Sequence, residues 1–104
     1  MLKQITPAEA DRLVREGAVL VDVREPYEHA AERIADSIEM PLSQLAQGQP
    51  ADLPEGRAPI FLCASGARTL RNSAALADIA GTSPAYGLAG GLMAWKRAGY
   101  PTTR

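Results

Sequence analysis

The sequence is short of several features that commonly announce a function. It has a single cysteine, Cys63. No disulfide can therefore form within the chain, which excludes the disulfide-dense design of small secreted domains and makes a reducing, cytoplasmic setting the expected one. It has no apolar run approaching the roughly 18 residues that a membrane-spanning helix requires. Its start, Met1-Leu2-Lys3-Gln4, lacks the apolar stretch of a signal peptide. An excess of charge of one sign is missing too. The 11 basic and 12 acidic residues leave a formal net charge of −1, which gives no electrostatic footprint for nucleic acid or for an anionic membrane surface. Internal repeats and low-complexity segments are absent from the sequence.

What remains is an ordinary globular composition, 46% hydrophobic and 22% charged over 104 residues, which is the size of one domain. Thr6-Pro7-Ala8-Glu9 starts a helix: Thr6 caps it, Pro7 suits the first position and Glu9 completes a capping box. This helix is expected to run to about Arg15, with Gly17 as its stop and Ala10, Leu13 and Val14 as its apolar face. Ala18 to Val23 is a continuous β-branched run, the pattern of a strand buried on both faces in a parallel sheet. Pro26 opens a short helix to about Ala31, and Ser37 to Met40 reads as a short strand before Pro41. A polar loop containing Gly48, Pro50, Pro54 and Gly56 leads to a second buried strand, Pro59 to Cys63. A long helix is then expected from about Ala67 to Ala80, with Leu70, Ala74 and Ala77 facing inward and Gly81 ending it. A weak strand near Pro84 to Gly87 and a helix over about Gly91 to Arg97, stopped by Gly99 and Pro101, complete the chain. Alternating strands and helices predict an α/β domain with a mainly parallel sheet, whose ligands bind at the carboxyl ends of strands. Cys63 lies at such an end.

The segment Cys63-Ala64-Ser65-Gly66-Ala67-Arg68-Thr69 joins a buried strand to a helix. A turn in that position points successive N–H groups into a concave nest for an anion. A helix N-terminus lowers the pKa of a thiol and so favours the reactive thiolate. Gly66 lets the backbone curl, and Arg68 supplies a cation able to hold the loop or its anionic ligand.

Cys-x-x-Gly-x-Arg-Thr in this context resembles the active-site loop of rhodanese-like domains. Val21-Asp22-Val23-Arg24-Glu25-Pro26-Tyr27-Glu28 is similar to the family's first signature. Tyr86-Gly87-Leu88-Ala89-Gly90-Gly91-Leu92-Met93-Ala94-Trp95, followed by Ala98-Gly99-Tyr100-Pro101, is similar to its last. The resemblance runs from about Ile5 to Pro101 and implies a rhodanese-like fold, a mainly parallel five-stranded sheet with helices on both faces. It also implies a sulfurtransferase in which Cys63 accepts a sulfane sulfur as a persulfide and yields it to a thiol, cyanide or protein acceptor, with no metal or other cofactor. Ala64, Ser65, Gly66, Ala67, Arg68 and Thr69 are the expected substrate-binding residues, with Asp22 and Arg24 supporting them.

Cysteine phosphatases and arsenate reductases carry five residues between cysteine and arginine, a wider loop that surrounds a tetrahedral oxyanion. Here there are four, Ala64 to Ala67. A non-catalytic binding or redox-sensing module is the other alternative, against which the retained Cys63, Gly66 and Arg68 speak. Asp22 and Arg24 are expected as scaffold, His29 as a surface residue, Trp95 as core and Gly90-Gly91 as the opening of the last helix. Glu32-Arg33-Ile34-Ala35-Asp36-Ser37 departs from the family's Gly-His-Ile-Pro-Gly-Ala and leaves that turn open. Ala64, Ser65 and Ala67 make the loop poor in charge, so thiosulfate, a dianion, is expected to be a weaker donor than a persulfide. Arg71 lies one helical turn beyond Arg68, its orientation open. The run from Ala67 to Ala74 with the Gly-Gly-Leu-x-Ala-Trp ending is also similar to bacterial rhodanese domains that continue into a membrane hairpin. That would associate a longer natural chain with a membrane.

Overall fold

The computed structural model describes residues 1–49, 52–81 and 84–104; Pro50, one of the expected loop residues, lies outside them. In chain order the elements are β1 (Lys3–Ile5), α1 (Pro7–Arg15), β2 (Val19–Asp22), α2 (Pro26–Ala31), β3 (Ile38–Glu39), α3 (Leu42–Ala46), β4 (Pro59–Leu62), α4 (Ala67–Arg71), α5 (Ser73–Ala80), β5 (Tyr86–Leu88) and α6 (Gly91–Arg97). The five strands form one sheet in the order β1-β5-β4-β2-β3, and each pairing is parallel.

The continuous hydrophobicity of β2 and β4 has a direct structural cause. Alternate side chains of a strand leave on opposite faces, and both faces are covered here. Leu20, Ile60 and Leu62 pack with Ala10, Leu13 and Val14 of α1 and Leu92 and Trp95 of α6. Val19, Val21, Phe61 and Cys63 pack on the other face with Leu42 and Leu45 of α3 and Leu76, Ala77 and Ile79 of α5. The one polar residue of these two strands, Asp22 at the end of β2, is buried and paired with Arg24. β4, flanked by β5 and β2, is central, so Cys63 follows the most enclosed strand of the molecule. At the start of α1 the capping box forms as expected: Glu9 N–H donates to Thr6 Oγ1 (3.2 Å) and Thr6 N–H to Glu9 Oε1 (3.0 Å).

The expected long helix after Cys63 is two helices. The Asn72 side-chain amide donates to the Arg68 carbonyl (2.7 Å), as does its own N–H (3.1 Å). An asparagine amide that takes a local carbonyl competes with the regular helix ladder, and Asn72 leaves helical geometry at φ −107°, ψ 17°. The axis is reset, so the expected inward face is wrong. Leu70 is 58% exposed and Ala74 is exposed, whereas Ser73 and Leu76 are buried and Ala77 partly so. Ser73 Oγ accepts from Leu2 N–H at 2.9 Å and ties the chain's start to α5. The short elements β1 and α3 carried no sequence expectation. The unusual turn after α2 closes on Asp36, at φ 66°, with Ser37 Oγ–H donating to the Ile34 carbonyl at 2.7 Å.

This placement predicts unequal costs for two leucines of the same region. Leu76→Ala should destabilise the protein by about 2–4 kcal/mol, and Leu70→Ala by under about 1 kcal/mol. Urea denaturation measures both, and equal losses would restore the single-helix reading.

Candidate active site

The site is assembled where β4 ends. The Cys63 side chain is fully buried. Its Sγ accepts the Gly66 N–H at 3.1 Å and lies 4.0 Å from Thr69 Oγ1. The Thr69 hydroxyl donates to the Gly66 carbonyl (3.0 Å), bracing the turn from within. Gly66 itself is at φ 93°, a left-handed conformation that a side chain would strain. Thr69 is buried, Ala64 and Arg68 are partly exposed, and Ser65 and Ala67 are exposed, so the outer rim of the loop carries only small neutral side chains beside Arg68.

The back of the loop rests on α6. Leu92 N–H donates to the Cys63 carbonyl (2.8 Å) and Met93 N–H to the Ala64 carbonyl (3.0 Å). This approach needs Gly91. A Cβ there would collide with the Cys63 carbonyl oxygen and lie 2.8 Å from that of Ala64. Gly90-Gly91 therefore opens the last helix, as expected, and also admits the loop. Trp95, the expected core residue, is buried and donates its indole N–H to the Pro101 carbonyl at 2.9 Å.

Arg68, expected as a cation able to hold the loop or its anionic ligand, is paired with a carboxylate from another element. Its guanidinium donates to both Glu28 carboxylate oxygens, at 2.7 and 2.9 Å. The Arg68 hydrogen bonds hold Glu28 at about 2, far below the usual 4.5, although burial works against them. In return Glu28, and more weakly the Cys63 sulfur, raise Arg68. Glu28 also accepts from Glu25 N–H at 3.0 Å, the capping box of α2. Glu28 lies within the first family-like signature, Val21 to Glu28, which by itself assigns it no role. Its pairing with Arg68, 40 residues away, left one local sign, the Glu25–Glu28 capping spacing.

Asp22 and Arg24 sit at the end of β2, beside β4. Both are buried, and the Arg24 guanidinium clasps the Asp22 carboxylate through Nε (3.0 Å) and an Nη (2.8 Å). Burial pushes the Asp22 carboxyl up, but the hydrogen bonds from Arg24 and His29 outweigh it and leave the group below the usual carboxylate range. Arg24 reaches on to the Glu32 carbonyl at 2.6 Å. His29, expected at the surface, is instead 12% exposed, with Nδ1 2.9 Å from Asp22 Oδ2. Asp22 and Arg24 thus hold the C-terminal turn of α2, at His29 and at the Glu32 carbonyl, and α2 carries Glu28 to Arg68. Among the described residues no hydrogen bond joins Asp22, Arg24 or His29 to Cys63, and no three His, Cys, Asp or Glu side chains converge as a metal site.

The Glu28–Arg68 pair makes a pH prediction. A carboxylate lowered in the folded state contributes stability that is complete above its unfolded value and is lost as pH falls towards the folded one. Between about pH 5 and about pH 2, wild type should lose about 1–2 kcal/mol more stability than Glu28→Gln. Urea midpoints across that range measure the difference, and parallel pH profiles would contradict it.

The sequence profile of the Rhodanese-like domain family matches residues 6–98. An uncharacterized protein of Synechocystis sp. is 41% identical over 103 residues, covering 96% of this chain and 55% of that protein, so the chain spans about half the length of that relative. A protein of Pseudomonas syringae named thiosulfate sulfurtransferase GlpE is 33% identical over 100 residues, covering 95% of this chain and 91% of the relative. Among solved structures, a rhodanese-related protein from Thermoplasma volcanium superposes with a TM-score of 0.82 at 27% identity, covering 97% of each chain. The match extends well beyond the cysteine loop, through α1 and β2 before it and α6 after it, and this chain belongs to the Rhodanese-like domain family.

Proposed function

We propose that this domain is a sulfurtransferase in which Cys63 takes up a sulfane sulfur and passes it to a thiol, cyanide or protein acceptor. The observation that carries this reading is the Gly66 N–H aimed at Cys63 Sγ (3.1 Å) inside a loop of small neutral side chains. The Cys63 thiolate attacks the outer sulfur of the donor, the donor's sulfur–sulfur bond breaks, and the remainder of the donor leaves with the bonding electrons. The persulfide so formed places its terminal sulfur about 2 Å beyond Sγ, moving the reactive atom from the fully buried cysteine towards the mouth of the loop. Loop amides such as that of Gly66 stabilise the anionic sulfur. An acceptor nucleophile then attacks the terminal sulfur and Cys63 departs as thiolate, so the cycle is a double displacement with ping-pong kinetics. Asp22 and Arg24 serve as scaffold, through α2. A thiol that must stay reduced to work suits a reducing, cytoplasmic compartment.

The paired state of Arg68 supports a donor preference. Thiosulfate must bring two negative charges into a loop whose one cation is already neutralised by Glu28. Glutathione persulfide enters with its sulfur atoms only, its carboxylates remaining outside. The Pseudomonas relative is named for thiosulfate, and a direct comparison of the two donors decides whether this chain follows it.

Incubation with either donor should add one sulfur, roughly 32 Da, as a persulfide, read by intact mass, and Cys63→Ser should abolish the gain. Turnover should be faster with glutathione persulfide, and equal or faster turnover with thiosulfate would reverse the donor preference. No adduct with any sulfane donor on an alkylatable Cys63 would favour a binding module, and hydrolysis of an aryl phosphate would favour a phosphatase.

A further inference from the structure

We infer that Glu28 is a specificity-determining residue: by neutralising Arg68 it makes the loop discriminate against donors whose sulfur-bearing head is a dianion. The inference rests on the sulfurtransferase reading and assigns the donor choice to one side chain outside the cysteine loop.

Arg68 is the loop's one cation, and each terminal nitrogen of its guanidinium gives one N–H to Glu28, so a carboxylate lies directly against its charge. The pair is only partly exposed, at 29% for Arg68 and 20% for Glu28, so water screens it incompletely. Glu28 is also not free to yield. Its carboxylate is held by the Glu25 N–H at the first turn of α2. The helix behind it is fixed by His29 on Asp22 and by Arg24 on the Glu32 carbonyl. An incoming dianion therefore meets a pair of zero net charge, in which the attraction of Arg68 is offset by the carboxylate bound to it. The next cation along α4, Arg71, is exposed and lies beyond the loop.

Donor charge can be varied while the bond made and the bond broken stay the same. When Cys63 thiolate takes the outer sulfur of thiosulfate, the sulfur–sulfur bond breaks and sulfite leaves with the electron pair as a dianion. Methanethiosulfonate undergoes the same bond change and releases methanesulfinate, a monoanion. The two donors thus differ by one negative charge, on the way in and on the way out, with the same bond made and broken. A carboxylate next to the loop opposes the entry of thiosulfate more than that of methanethiosulfonate.

The test is the ratio of kcat/KM for thiosulfate to that for methanethiosulfonate, with cyanide as acceptor. Glu28→Gln should raise this ratio about tenfold, chiefly through a lower KM for thiosulfate, and the gain should shrink in high salt. Glu28→Ala should shift it in the same direction. The double variant Glu28→Gln, Arg68→Gln restores a neutral site and should return the ratio to within about threefold of wild type. A residue that merely positions Arg68 would instead lower the rates with both donors and leave the ratio unmoved. An unchanged or falling ratio in Glu28→Gln, with both donors still loading Cys63, overturns this inference alone. Failure of wild type to be loaded by either donor overturns the sulfurtransferase reading and this inference with it.

Discussion

The carbonyls of Cys63 and Ala64 are gripped from behind by the first free N–H groups of α6, at Leu92 and Met93. Backbone must touch backbone for this to happen, and a Cβ at position 91 would occupy the space of the Cys63 and Ala64 peptide. Much of the site follows from that one contact. With its carbonyls directed into α6, the loop turns its other side towards Sγ, where the Gly66 N–H points. The next turn must bend back at once, which Gly66 does at φ 93°. Its own Cβ position lies 3.0 Å from the Gly90 nitrogen, so the two glycine-bearing turns are fitted to each other. Leu92 and Trp95, further along α6, enter the core with Ile5 and Leu88. The hydrophobic packing of α6 thereby sets the shape of a loop made 29 residues earlier.

A second, polar layer controls charge where the first controls shape. Asp22, Arg24 and His29 are too enclosed to be left unpaired, since isolated buried charges are costly, and they satisfy one another together with the Glu32 carbonyl. Their product is a rigid α2, and α2 presents Glu28 to Arg68. The active-site cation is thus specified by three elements, β2, α2 and α4, none of which contains the cysteine. On the proposed mechanism the loop amides act on the sulfur, and the ion pair would set how much negative charge accompanies it.

The parts of this arrangement that were legible in the sequence are those governed by local rules. β2 and β4 could be read because both faces are covered, which leaves a continuous apolar run broken only by Asp22 at the end of β2. The start of α1 could be read because Thr6 and Glu9 satisfy each other within one turn. The position of Cys63 followed from the strand-to-helix transition around it. What escaped was decided by competition or by distance. Asn72 stands inside a segment with good helical periodicity, and only its side chain's capture of the Arg68 carbonyl breaks the helix and turns Leu70 outward. β1 has one buried residue in three and takes its direction from pairing with β5, 83 positions away between Lys3 and Tyr86. Glu28 and His29 look like the polar face of a short surface helix. Their partners, Arg68 and Asp22, come from other elements, and no local periodicity encodes them.

The central claim is that the buried cysteine is a carrier, loaded in one step and emptied in another. The most direct test separates those steps: persulfidated protein is freed of donor, mixed with cyanide, and followed by thiocyanate release and intact mass in a single turnover. The account predicts one equivalent of thiocyanate per loaded Cys63, with the mass returning to that of the unmodified chain at the same rate. A persulfide that forms and then persists in excess cyanide, with no thiocyanate released, would contradict it.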